Sequence, residues 1–212
     1  MLRAAELSCE RAYPMVTPTD EQLFKVPPPC LEDCPICLLP MPILELHWNY
    51  SPCCGKFICD GCMHQKVVLA TSRKGSKSLI GKCSFCREPT LISDKEQIAR
   101  CKKRMAVGDG DAFCFLGLNY YDGLLGLKQN NMKAAELWLK GAALGSVSAQ
   151  SKVALAYSEG IGVEKDEKKA NHYYQLAAMG GDVTARFNIG FSCARMEDTI
   201  KHWEIAAGAG FD

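Results

Sequence analysis

The stretch SPCCGKFICDGC, residues 51–62, carries four cysteines in twelve residues and decides how the first half of the chain can fold. Outward from it the C-x-x-C spacing recurs on both sides, and eight cysteines form four pairs in chain order: Cys34 with Cys37, Cys53 with Cys54, Cys59 with Cys62, and Cys83 with Cys86. Three of these pairs have the C-x-x-C spacing, whereas Cys53 and Cys54 are adjacent. A C-x-x-C turn places two sulfurs on one side of a tight knuckle, so each pair can supply half of a tetrahedral zinc site. The pattern therefore predicts two bound zinc ions with eight thiolate ligands.

The rest of the composition favours metal over disulfides. The N-terminal sequence MLRAAELSCERAYPMV lacks the apolar core of a signal peptide, and no apolar run approaches the roughly 20 residues that span a bilayer. We therefore predict an intracellular protein, cytoplasmic or nuclear, without a membrane span. In such a reducing compartment, an odd total of 13 cysteines argues against a disulfide framework. The formal net charge of +1 provides no field for gathering nucleic acid, so no nucleic-acid partner is expected.

The pairs can combine in two ways. In sequential pairing, the first two pairs bind one zinc and the last two bind the other. In interleaved pairing, the first and third pairs share one ion and the second and fourth share the other. The spacing alone permits both arrangements.

The order CPIC, a 15-residue loop, CCGKFICDGC, a 20-residue segment and CSFCR resembles the RING-type zinc finger from about Cys34 to Pro89. This resemblance implies interleaved zinc sites in a small α+β domain. Many RING domains have C-G-H where this chain has C-G-K, and the ammonium group of Lys56 cannot bind zinc. We expect Cys53 to supply that ligand beside Cys54. His64 and His47 are the alternative ligands if Cys53 does not bind the ion.

The second half repeats itself. KAAELWLKGAALG and KANHYYQLAAMGG end at Gly145 and Gly181, which gives a period of about 36 residues, and each unit holds two amphipathic segments of helix length around a glycine-bearing turn. These features predict a helical solenoid whose Ala and Gly residues let helices approach closely while aromatic residues fill the space between units. His172 and His202 are expected on helix surfaces. The third unit lacks about seven residues between its helices, which predicts a shortened loop or a distorted helix pair.

The units resemble Sel1-like repeats, relatives of tetratricopeptide repeats. Residues that match the family's L-G-x-x-Y, G-x-G-V, K-A and A-A-x-x-G pattern are Leu116, Gly117, Tyr120, Gly160, Gly162, Val163, Lys169, Ala170, Ala177, Ala178 and Gly181. The resemblance implies binding of other proteins through the solenoid.

The predicted architecture is thus multidomain: a small zinc-stabilised α+β RING domain followed by an all-α solenoid of helix-turn-helix repeats. The intervals are a flexible N-terminal segment at 1–29, the RING domain at 30–92, a linker at 93–108, and repeats at 109–146, 147–182 and 183–212.

The combined resemblance implies a ubiquitin ligase that positions a ubiquitin-charged conjugating enzyme without forming a covalent intermediate, while the repeats recruit a substrate or complex subunit. Arg87, directly after the last predicted ligand, matches the basic residue that bridges conjugating enzyme and ubiquitin in such RING domains. Ile36 and Pro89 match positions that supply apolar contact to the conjugating enzyme. The alternative is a non-enzymatic, zinc-dependent scaffold. A nucleic-acid-binding zinc module is a third reading, disfavoured by the near-neutral charge.

Overall fold

The computed structural model describes residues 2–6, 15, 18–25, 33–39, 41, 48–71, 81–90, 92–192 and 196–208. Its strands are β1 (Trp48–Ser51) and β2 (Lys56–Cys59). Its helices are α1 (Asp20–Phe24), α2 (Asp60–Thr71), α3 (Asp94–Ala106), α4 (Gly110–Asp122), α5 (Asn131–Ala143), α6 (Val147–Glu159), α7 (Glu167–Met179), α8 (Val183–Ser192) and α9 (Met196–Gly208). Residues 2–6 are also helical.

In the described residues of the cysteine-rich part, regular structure consists mainly of one hairpin and the helix that follows it. β1 and β2 pair antiparallel along their whole length, and Ile58 on β2 is buried. In the turn between them, Gly55 has a φ of 72°. A Cβ at this position would lie 2.5 Å from Arg104 Nη2 on α3, so the turn requires glycine and lies directly against that helix.

The interval 93–108, predicted as a linker, contains the helix α3. The Ser93 hydroxyl caps its start by accepting a hydrogen bond from the Glu96 N–H. Cys101 is completely buried, and its thiol donates to the Ala112 carbonyl on α4 at 3.1 Å. The cysteine-rich part and the repeats are therefore joined by an ordered, packed helix.

The repeats form a helical solenoid of three helix pairs in the described residues: α4 with α5, α6 with α7, and α8 with α9. Each of these helices packs on its neighbour in the chain, both within a pair and between pairs. Four of them start at a side chain that accepts hydrogen bonds from the first turn: Asp109, Asn130, Ser146 and Asp166. These caps fix the helix starts at the repeat boundaries.

The third helix pair has the shortened connection that the sequence predicted. The first two pairs are joined by residues 123–130 and 160–166, and Gly123 and Gly160 end α4 and α6 in the left-handed conformation. In the third pair, α8 ends at Ser192 and α9 begins at Met196. Residues 193–195 lie outside the described part of the chain.

Small residues lie where the helices cross. A Cβ on Gly117 would be 2.5 Å from Trp138 Nε1, and one on Gly110 would be 2.9 Å from the Gly141 carbonyl oxygen. Glycine at these positions lets α4 and α5 approach closely, and Trp138 fills the space between them with only 1% of its surface exposed. Small residues lie at the helix contacts as expected, but Trp138 fills the space between the two helices of one unit, where the sequence predicts aromatic residues between units.

The expectation that His172 and His202 lie on helix surfaces was wrong. They are 8% and 0% exposed, respectively. His202 on α9 lies under Phe24 of α1 and beside Arg186 of α8. Burial, followed by repulsion from the Arg186 charge, lowers the pKa of His202 to about 4, so the imidazole is neutral at physiological pH.

The N-terminal interval, predicted to be flexible, packs on the solenoid where it is described. Ala5 is 2% exposed and belongs to the main core of the repeats. α1 contacts α7 and α9. For these residues the prediction is corrected, because short apolar stretches near the start of the chain find buried positions on the repeats.

Candidate metal centre

Two C-x-x-C turns are built by the same backbone hydrogen bonds. In the turn that begins at Cys34, its N–H donates to the Leu39 carbonyl and its carbonyl accepts from the Leu38 N–H, both at 2.8 Å. The turn that begins at Cys83 repeats these two bonds at 2.7 and 3.2 Å. The residue after each second cysteine has a positive φ, 58° at Leu38 and 64° at Arg87. The two knuckles therefore present their sulfurs in equivalent ways.

The eight cysteines form two groups of four thiols, and the grouping is interleaved. Within each group the sulfurs all lie within 4.8 Å of one another: Cys34, Cys37, Cys59 and Cys62 in the first group, and Cys53, Cys54, Cys83 and Cys86 in the second. The first group joins the first and third pairs, and the second joins the second and fourth. The sequential alternative is excluded by this arrangement.

The sulfur separations fit a tetrahedral metal site. The Sγ–Sγ distance is 3.8 Å from Cys34 to Cys62, 3.8 Å from Cys37 to Cys59, and 3.7 Å in the second group from Cys54 to Cys83. A tetrahedron with metal–sulfur bonds of about 2.3 Å has edges of about 3.8 Å. These separations are too long for a disulfide, whose sulfurs lie about 2.05 Å apart. Each group is able to hold a metal ion that prefers soft ligands.

Two thiols of the first group, Cys34 and Cys62, have pKa values shifted in opposite directions. Burial raises the pKa of Cys34, but backbone N–H groups, foremost that of Cys59, outweigh it and lower the pKa to about 6. Burial and the neighbouring sulfurs raise the pKa of Cys62 to about 12. Several thiolates so close together repel one another, and a divalent cation among them balances that charge. The donor chemistry therefore suits a cation.

The second group includes Cys53, the position that the sequence left least certain. Its thiol lies with that of its neighbour Cys54 and with the last knuckle. His64 is exposed on α2 and is absent from both thiol groups. His47 lies outside the described residues. The geometry accordingly favours Cys53, not a histidine, as the fourth ligand of the second group.

The three residues predicted to meet a conjugating enzyme all lie at the surface. Arg87 and Pro89 are exposed beside the last knuckle, and Ile36 in the first knuckle is 43% exposed. Sequence reasoning missed Leu38 and Leu39, which are 73% and 64% exposed beside Ile36. The run ICLLP was the available signal, since consecutive apolar residues around a tight C-x-x-C knuckle cannot all be buried. Together they make the first knuckle an exposed apolar surface.

Arg100 on α3 holds the chain just after the last knuckle. Its Nη1 donates to the Pro89 carbonyl at 2.6 Å, and its Nη2 lies 3.6 Å from the Glu88 carboxylate. Its Nε donates to Glu96 one helical turn away at 3.0 Å. Because the Arg100 side chain is only 13% exposed, these contacts fix the backbone beside Arg87 firmly to α3.

A second contact anchors the hairpin to the first repeat. The Tyr50 hydroxyl on β1 donates to Asp109 Oδ2 at 2.8 Å, and Arg104 Nε donates to the same oxygen at 2.9 Å. The Tyr50 ring also packs on Phe57 and on Phe115 of α4, with centroids 5.2 and 5.4 Å away. Burial and the bond to Asp109 raise the pKa of Tyr50, so its hydroxyl stays a donor. A cavity of about 320 Å³ lies beside this anchor, between the hairpin and α4.

Tyr50→Phe is expected to loosen this anchor without removing the ring. A hydrogen bond to a charged acceptor contributes about 1.5–3 kcal/mol, so amide hydrogen exchange in the hairpin and in the first turn of α4 should accelerate at least tenfold. Tyr121→Phe on α4 is the control, because the Tyr121 hydroxyl makes no hydrogen bond to any described residue. Equal exchange in both variants would contradict the anchor.

The repeat region matches a known family. Residues 111–146 and 147–182 match the Sel1 repeat. The resemblance to Sel1-like repeats is thereby confirmed for two of the predicted units. Sel1 repeats indicate a role in binding other proteins. Among solved structures, the chain is similar to the crystal structure of a Sel1 repeat protein from Oxalobacter formigenes, with 25% identity and a TM-score of 0.51. The similarity covers 55% of this chain and about half, 49%, of that one. No curated protein matches the chain.

Among the residues that the structure describes, none of the helices combines the length and the apolar character needed to span a bilayer.

Proposed function

We propose that this chain is a zinc-dependent ubiquitin ligase of the RING type, whose Sel1 repeats recruit a substrate or a complex subunit inside the cell. The observation that carries the proposal is the interleaved grouping of eight thiols into two tetrahedral sets. Interleaving is the arrangement that the RING resemblance implied and that a pair of tandem zinc knuckles would lack. Thiolate ligands at this geometry suit two zinc ions.

The proposed ligase would act by positioning its partners, without forming a covalent bond to ubiquitin. The eight grouped thiols would be stabilised as metal ligands, and the other described cysteines, Cys101 and Cys114, are buried. The described residues therefore contain no exposed thiol outside the groups that could carry ubiquitin as a thioester. A ligase of this kind would act by holding the charged conjugating enzyme in a reactive arrangement, which lowers the entropic cost of attack by a substrate lysine.

Arg87 would be the bridging residue. Its guanidinium group offers five donors in a fixed fork and stays charged at all physiological pH values, so it can bind carbonyl groups of two proteins at once. Its exposure and the fixed backbone beside it support this role, because Arg100 restrains Glu88 and Pro89 immediately downstream. Ile36 with its exposed neighbours would supply the apolar part of the docking surface.

The test is discharge of ubiquitin from a panel of charged conjugating enzymes to free lysine, catalysed by the metal-loaded chain. Arg87→Ala is expected to slow discharge roughly 10- to 100-fold, the equivalent of losing hydrogen bonds from a charged donor, while both metal ions stay bound. Arg87→Lys should restore part of the rate because it keeps the charge. Ile36→Ala is expected instead to weaken binding of the conjugating enzyme.

Lys95→Ala provides the matched control, because Lys95 is an exposed cation on α3 that belongs to neither knuckle. It should discharge ubiquitin at the wild-type rate. Discharge activity in the wild-type chain that Arg87→Ala leaves unchanged would contradict the bridging role. Discharge from no conjugating enzyme in the panel would favour the non-enzymatic scaffold, whose zinc module only stabilises the chain while the repeats organise a complex.

A further inference from the structure

Two described parts of the N-terminal segment, residues 2–6 and α1, pack on the second and third repeats. Residues 2–6 lie on the second repeat, where Ala5 is buried in the core and Leu2 packs against it. The exposed face of this helical turn carries Arg3 and Ala4. The segment thus binds through one apolar face, as an amphipathic helix binds a groove.

The polar contact of this turn is specific. The Tyr157 hydroxyl on α6 donates to Glu6 Oε1 at 2.8 Å. The Tyr157 ring stacks on Tyr173 at 5.9 Å between centroids, and Lys169 Nζ lies 5.1 Å from its centre. A carboxylate is therefore accepted at a position that has a hydroxyl donor and a nearby ammonium group.

The second contact follows at α1. The Leu23 carbonyl accepts from Arg186 Nη1 at 2.7 Å, although Arg186 is 2% exposed. The Phe24 ring lies 4.8 Å from the His202 ring, with Lys201 Nζ 5.0 Å from its centre. The buried guanidinium needs acceptors for its N–H groups, and the Leu23 carbonyl of the other segment satisfies one of them.

We propose that this surface, made by Tyr157, Lys169, Arg186, Lys201 and His202, binds an acidic, amphipathic helical segment of a partner protein, and that the chain's N-terminal segment is the ligand the partner displaces. The Tyr157 hydroxyl and the nearby Lys169 complement a carboxylate such as that of Glu6, while Arg186 and Lys201 meet the Leu23 carbonyl and the Phe24 ring. The N-terminal segment is suited to exchange, because α1 has five residues and a helix this short is marginal alone. Its attachment gives it an effective concentration in the millimolar range, which a partner must overcome.

The inference deepens the proposed partner-binding role of the repeats and rests on it. The ubiquitin-discharge assay does not use this surface, so the two proposals can fail separately.

The experiment uses the full chain and a fluorescein-labelled peptide of residues 1–25 as the probe, with binding followed by anisotropy. Ala5→Glu places a carboxylate where Ala5 is 2% exposed, so it should release the chain's own segment and leave the repeats unchanged. This variant is expected to bind the wild-type peptide at least tenfold more tightly than the wild-type chain does. Ala4→Glu, one position away on the exposed face, should bind like wild type.

A second substitution tests the surface itself. Tyr157→Phe in the Ala5→Glu chain should weaken peptide binding about tenfold, because Glu6 loses its hydroxyl donor. Leu2→Asp replaces Ala5→Glu if that variant loses its helical circular dichroism. Equal binding by the releasing and control variants, or no binding to a folded releasing variant, would overturn the proposal. A wild-type dimer that Ala5→Glu abolishes would overturn it in favour of segment exchange between two copies of this chain.

Discussion

Trp138→Ala is expected to lower the free energy of unfolding of the repeats by about 3–5 kcal/mol, the range for truncation of a buried tryptophan. The indole is 1% exposed and lies 5.7 Å from the Tyr121 ring, and it packs directly on Gly117. The loss leaves a cavity that α4 and α5 cannot close, because their backbones already meet at Gly110 and Gly141. Urea-induced loss of helical circular dichroism measures the effect.

Trp138→Phe is the matched control. Its ring fills most of the same space, and the Nε1 atom that it removes is buried without a hydrogen-bond partner among the described residues. Losing an unpaired buried donor costs no hydrogen bond, so the free energy of unfolding should fall by less than about 1.5 kcal/mol. Similar losses for the alanine and phenylalanine variants would show that the space around Trp138 is not a tightly packed core.

The repeat architecture was predictable because its contacts are periodic. The position of Trp138 recurs as Tyr174 in the second unit and Trp203 in the third, and the glycine that meets it recurs as Gly190 in the third. In the structure Gly190 packs on Trp203 as Gly117 packs on Trp138. Such contacts lie within one unit, so the spacing of small and large residues along the sequence carries the information.

The interleaved grouping was not predictable from spacing, because a helix downstream brings the last knuckle to the hairpin turn. On α3, Arg100 holds Pro89 beside the last knuckle, and one turn later Arg104 lies against Gly55 beside Cys54. The same helix therefore places the fourth thiol pair next to the second. The KEQIARCKKR run of α3 predicts a linker, since arginines that pair across the fold look like solvated charges in a sequence.

The burial of His202 was likewise not predicted, because it depends on contacts between distant parts of the chain. On α9 it belongs to a mostly polar stretch, KHWE, which is typical of a solvent-facing helix side. Its cover comes from Phe24, almost the full length of the chain away, and from Arg186 on the adjacent helix. A contact between the first and last elements leaves no periodic signal, so only the three-dimensional structure reveals it.

Removal of metal is expected to unfold the cysteine-rich part while most of the solenoid stays helical. Structural zinc contributes about 10–16 kcal/mol per site in zinc-finger peptides, far more than the small hairpin core around Ile58 can supply. The first repeat should loosen, because Tyr50 would no longer hold Asp109 and Phe115. Hydrogen exchange should therefore accelerate at the start of α4 and stay slow in α6 and α7. Complete loss of helical circular dichroism on chelation would contradict separate stability of the repeats.

Metal counting on purified variants separates the ligand sets. The wild-type chain is expected to bind two zinc ions. Cys53→Ala should reduce the count to one, because Cys53 is one of the four sulfurs within 4.8 Å of one another in the second group. His64→Ala should keep both ions, since the imidazole is exposed and outside both groups. Cys101→Ala controls for loss of a buried cysteine as such, and it too should keep both ions although it removes a core contact with α4. Two ions in Cys53→Ala would mean that another group completes the second site, and Cys53 would then need a role other than coordination.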